Sequence, residues 1–109
     1  MLGGEILRGN TETVILRCLS NGDSYGYEIS KFFVSESDNQ IEVKDATIYQ
    51  AFRRMEKDEL IEAYWGDGVL GARRRYYKIT DKGKKFYIQK QEEWKQTKKI
   101  LDSLIIGGK

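Results

Sequence analysis

Residues 45–79, DATIYQAFRRMEKDELIEAYWGDGVLGARRRYYKI, constrain the fold most, because the hydrophobic period changes inside this one segment. From Asp45 to about Glu59, Ile48, Phe52 and Met55 fall at i, i+4 and i+7 with Ala51 beside them, which predicts an amphipathic helix. After Leu60 the period drops to two. Ile61, Ala63 and Trp65 alternate with Glu62 and Tyr64, Gly66, Gly68 and Gly71 mark a turn, and Arg73–Ile79 alternates again. The segment therefore reads as a helix running directly into a two-stranded hairpin.

The flanking segments are helical. NTETVILRCLS at 10–20 places Val14, Ile15, Cys18 and Leu19 on one face behind Asn10 or Thr11 as N-cap. Asn21, Gly22 and Asp23 stop it, and a second helix starts near Ser24 with Tyr25, Ile29, Phe32 and Phe33 as its apolar side. Residues 35–44 read as a polar loop with room for a short extended piece, and Asp45 reads as the N-cap of the third helix. Thr80 or Asp81 caps a last helix reaching about Ile106, on which Tyr87, Trp94 and Leu101 recur every seven residues, joined by Thr97 and Leu104. The expected fold is mostly α with a small antiparallel β hairpin: a winged helix-turn-helix over residues 1–79 and a long C-terminal dimerisation helix over 80–109, in one compact unit.

Composition narrows the function classes. At 109 residues the chain is one domain of modest apolar content, 39 %, with 33 % charged residues and a net charge of only +2. Any hold on nucleic acid must come from local clustering. No histidine is present, which removes the usual zinc sets and a histidine base, and the single cysteine, Cys18, reads as a small buried thiol. No apolar run approaches the ~20 residues of a membrane span, and no signal-peptide pattern opens the chain, so a cytoplasmic protein is expected. No catalytic constellation, metal set or cofactor loop stands out, and an enzyme is not expected.

The third helix carries Thr47, Gln50 and Arg54 away from its apolar stripe, flanked by Tyr49 and Arg53. Arginine pairs bidentately with guanine and glutamine with adenine, while threonine offers a methyl or a hydroxyl, so this is a face suited to base edges. Lys44, Arg53 and the hairpin arginines Arg73, Arg74 and Arg75 are candidates for phosphate. Alternation sends Arg73 and Arg75 one way and Arg74 the other, so the three cannot share one patch. The competing readings are a solvated helix face, with Arg53 and Arg54 paired to Glu56 or Asp58, and arginines that merely protect an edge strand or pair with Glu62. Tyr87, Trp94, Leu101 and Leu104 are expected to bury against a second copy of the chain, with packing onto their own domain as the alternative. Trp94 could also wall a pocket for an aromatic ligand, although core packing is the plainer reading.

LRGNTETVIL at 7–16, YGYEI at 25–29, ATIYQAFRRMEKDELI at 46–61, Trp65 and RRRYYKITDKG at 73–83 together resemble the PadR family of bacterial transcriptional regulators, in its small single-domain form. The resemblance runs from about Ile6 to Leu104. It implies a homodimeric repressor, often switched by a small molecule, that binds double-stranded DNA at a pseudo-palindromic operator. The helix from Ala46 would enter the major groove and the 62–78 hairpin would be the wing. By position, Thr47, Tyr49 and Arg53 match the family's DNA-facing helix, Tyr25 and Tyr27 the neighbouring helix, Arg73 to Arg75 the wing strand, and Trp94 the tryptophan at the dimer-pore drug site of some small members. Two residues depart from the pattern: Gln50 replaces a common proline, and Glu59 stands where glycine is usual, so it must turn left-handed or end the helix differently. A winged-helix protein-interaction module without specific DNA binding is the alternative function.

Overall fold

A computed structural model describes residues 7–108; Ile6, where the resemblance begins, and Lys109, the last residue of the Gly-Gly-Lys tail, lie outside the described residues. Helices α1 (Thr11–Ser20), α2 (Gly26–Glu36) and α3 (Asp45–Lys57) precede strands β1 (Ile61–Asp67) and β2 (Arg73–Ile79), and α4 (Asp81–Ile105) follows. The strands form one antiparallel hairpin with Ile61 opposite Ile79 and Trp65 opposite Arg75. The fold is a winged helix with a long C-terminal helix, as the periodicities require.

One core joins the parts. Ile15, Leu16 and Leu19 of α1, Ile29 and Phe33 of α2, and Ile48, Ala51, Phe52 and Met55 of α3 are buried together with Leu60, Ile61, Tyr77 and Ile79. The ring of Phe52 stacks on Tyr77 at 3.8 Å between centroids, which seats the base of the hairpin on α3. Cys18 belongs to this core, and burial pushes its thiol pKa up. Ser24, just before α2, pairs with Tyr77 through hydrogen bonds in both directions, 3.1 and 2.8 Å, and so closes the outer side of β2 at its base.

Several boundaries differ from expectation. The second helix begins at Gly26, because Ser24 is taken up by β2, and continues to Glu36; the connection to α3 is correspondingly shorter. It turns through Asp38 and Asn39, both left-handed at φ 52° and 64°, and holds no extended strand among the described residues. Asn10 precedes α1 without a side-chain capping bond. Lys44 occupies the N-cap position of α3 in extended conformation, which makes Asp45 the first helical residue. A carboxylate there still favours the positive end of the helix dipole. Thr80 does cap α4, accepting from the Gly83 amide at 2.9 Å.

The end of α3 resolves the question posed by Glu59. Leu60 N–H donates to the Met55 carbonyl and Glu59 N–H to that of Glu56, a Schellman closure in which Glu59 takes φ 61°. A side chain in that region is strained by about 1 kcal/mol. We expect Glu59→Gly to stabilise the fold by roughly 0.5–1 kcal/mol, read as a higher denaturation midpoint. A lower midpoint would mean that the glutamate side chain contributes more than its backbone loses.

Candidate nucleic-acid interface

With about 100° between successive residues of a helix, the buried stripe Ile48–Ala51–Phe52–Met55 leaves Gln50 and Arg53 pointing most directly away from the core. Thr47 and Arg54 lie toward the α1 side of that exposed face, and Tyr49 toward α2. Thr47, Gln50 and Arg54 thus form a row at i, i+3 and i+7 along one flank of the face. The spacing alone places Arg54 with Thr47 and Gln50 opposite the apolar stripe, free of partners on α1. Its Nε instead donates to Glu12 Oε2 on α1 at 3.0 Å, although the side chain stays 55 % exposed. The pairing of Arg54 with Glu56 or Asp58 is therefore not what forms. Arg53 makes no ion pair among the described residues.

Tyr49 is braced rather than free. Its ring meets Phe52 edge-on at 5.5 Å, and its hydroxyl lies over the first turn of α2 at Gly26, where a Cβ would sit 2.7 Å away. The glycine of YGYEI thus has a physical reason: it lets the α3 tyrosine approach α2. Tyr25 is half-buried beside it, Tyr27 is exposed with Lys31 Nζ 4.9 Å over its ring, and Lys44 is exposed at the start of α3.

The wing sorts its arginines by alternation. Arg73 and Arg75 share one face and lie 5.5 and 5.6 Å over the Trp65 ring. Arg75 also reaches Glu56 of α3 at 3.5 Å, so the acid expected for a helix arginine serves the wing instead. Arg74 takes the opposite face, 3.9 Å over Tyr25, in an aromatic cluster where Tyr25 meets Tyr76 edge-on and Tyr76 stacks on Tyr64. A hydrogen bond from Tyr64 to the Asp23 carboxylate anchors that face and raises the phenol's pKa. No arginine of the three pairs with Glu62 among the described ion pairs. Each lies over an aromatic ring; Arg73 and Arg75 are exposed, Arg75 while paired with Glu56, and Arg74 is half-buried.

The C-terminal seam divides. Tyr87 is half-buried and packs against the domain's own core. Trp94, Leu101 and Leu104 are 50 %, 43 % and 76 % exposed, and Ile105 and Ile106 with them. Between α1 and α4 lies an apolar cavity of about 300 Å³ lined by Leu7, Asn10, Thr13, Val14, Arg17, Tyr87, Gln91 and Trp94. No helix among the described residues is long and apolar enough to cross a membrane.

Sequence reasoning missed Glu12, Trp65 as an arginine platform, and the Asp23–Tyr64 anchor. The hairpin register, once known, exposes the second, since Trp65 stands opposite Arg75. Glu12 and Asp23 meet partners 42 and 41 residues away, and no local pattern reveals them.

The model of the transcriptional regulator PadR-like family matches residues 15–89. An uncharacterised protein of Lysinibacillus sphaericus is 41 % identical over 107 residues, covering 98 % of each chain. Among solved structures, a transcriptional regulator from Clostridium thermocellum is 43 % identical with a TM-score of 0.87, over 96 % of this chain and 99 % of that one. A PadR-like transcriptional regulator from Bacillus cereus is 31 % identical with a TM-score of 0.81, over 96 % and 99 %. A PadR family transcription regulator from Clostridium difficile is 34 % identical with a TM-score of 0.76, over 87 % and 97 %. With its winged helix, its long final helix and these relatives, the chain belongs to the PadR-like family of DNA-binding transcriptional regulators.

Proposed function

We propose that this regulator is a cytoplasmic homodimeric repressor that binds a pseudo-palindromic operator and is released by a small planar aromatic compound. The observation that carries the reading is the exposed row Thr47–Gln50–Arg54 on α3 beside a wing whose three arginines are held on aromatic rings. In this scheme residues 1–79 bind DNA and 80–109 pair the protomers through Trp94, Leu101 and Leu104. Lys44, Arg53 and the wing arginines supply phosphate contacts, Tyr25 at the N-cap of α2 and Tyr27 in its first turn face the backbone, and Thr47, Tyr49, Gln50 and Arg54 choose the sequence. The α1–α4 cavity, walled by Trp94, supports the effector part, since its size is at the lower end of small-molecule sites.

Salt dependence tests the central claim. A dimer making six or more phosphate contacts loses about a thousandfold in duplex affinity between about 50 and 200 mM salt, through counterion release. Gln50→Ala is expected to relax sequence preference at one position by roughly 1–3 kcal/mol while leaving random-duplex binding near wild type. A docking module for another protein is the competing function, favoured by one observation, the fully exposed Leu70 at the wing tip. Absence of binding to any duplex, or a flat salt response, would favour that alternative.

A further inference from the structure

We propose that Glu12 is a positioning residue for base reading: it holds the guanidinium of Arg54 by one edge, so that the free end of the fork reads a guanine. The inference rests on the DNA-binding reading above. Contact is made through Arg54 Nε alone, at 3.0 Å to Glu12 Oε2, and the two terminal nitrogens have no partner among the described residues. Those two nitrogens are the pair that matches guanine O6 and N7. Arg54 also closes the Thr47–Gln50–Arg54 row, so a duplex laid along α3 meets its exposed end.

An unrestrained arginine loses several rotors on binding, and a carboxylate that fixes Nε beforehand removes part of that loss. Glu12 itself sits in the first turn of α1, where the helix dipole favours a negative charge. The pair borders a cleft of about 210 Å³ where α1 and α3 meet Phe86 and Lys90 of α4, and Lys90 turns to Glu93 rather than competing for Glu12. At 30 % side-chain exposure, Glu12 is sheltered enough to hold its partner in one geometry.

The test is selection of bound fragments from random duplex DNA by wild type, Glu12→Ala, Glu12→Gln, Arg54→Ala and the double variant Glu12→Ala with Arg54→Ala, each first confirmed folded by its thermal transition. Wild type and Glu12→Gln, whose amide oxygen still accepts from Nε, are expected to enrich the same motif. Arg54→Ala should lose one guanine per half-site, by tenfold or so in preference, and Glu12→Ala should lose that same guanine by about three- to tenfold. Glu12→Ala retaining the guanine, weakening every position equally, or changing preference further when Arg54 is already alanine would overturn the proposal. A wild-type protein that enriches no motif would instead overturn sequence-specific DNA binding itself.

Discussion

Replacing Gly83 with alanine lowers the melting temperature by about 10–20 °C, corresponding to roughly 3 kcal/mol for a domain of this size. Gly83 lies buried in the first turn of α4, against the closure that ends α3. A Cβ there would overlap the carbonyl oxygen of Leu60 and sit 2.8 Å from Ile79 Cγ1. Neither neighbour can yield cheaply. The Leu60 carbonyl accepts from Thr80 N–H at 3.0 Å, and Thr80 Oγ1 donates to the Glu59 carbonyl at 2.7 Å, so the oxygen belongs to a joint between three elements. Relief requires α4 to tilt off that joint, which uncovers part of the Ile79 and Leu60 side of the core. A transition within about 3 °C of wild type would show that the joint is soft and that α4 can shift without loss.

Leu101→Glu should convert the protein to monomers in sedimentation and reduce operator affinity by about 10²–10⁴-fold. Leu101 is 43 % exposed, and Leu104, Ile105 and Ile106 beside it are more than three-quarters exposed. So continuous an apolar surface on a helix end is what a partner copy would cover. Linking two recognition helices turns the second half-site contact into an intramolecular event, so loss of pairing acts on affinity without touching α3. Half-site affinity should stay unchanged. A variant that remains dimeric, or a monomer that keeps full operator affinity, would exclude α4 as the pairing element.

Much of this architecture is legible in sequence because amphipathic periods are local. Ile48, Phe52 and Met55 announce α3, and the switch to alternation after Leu60 announces the wing. The separation of Arg74 from Arg73 and Arg75 follows from strand geometry alone. What escaped is non-local. The Arg54–Glu12 pair joins residues 42 apart, and Ser24 leaves its helix for a bridge to Tyr77 that no neighbouring residue foretells. The heptad on α4 is visible in the sequence, yet a seven-residue repeat is the same whether its partner is the chain's own core or another copy; Tyr87 packs on the core while Leu101 stays 43 % exposed. Cap positions also slipped by a residue, since Lys44 and Asp45 differ only in backbone angle there.

The bridge at Ser24 has a consequence for how the hairpin behaves among many molecules. A strand with an open edge is a template for pairing with a neighbour's backbone. Ser24 closes the outer edge of β2 at Tyr77 and stops there, leaving the stretch toward Arg73 without a third strand among the described residues. Along that stretch Tyr76 is followed by three arginines, whose bulk and like charge keep a second wing away. The same side chains proposed to grip phosphate therefore also guard the edge. Stripping the wing of arginine removes its charge and opens a sticky strand in one stroke.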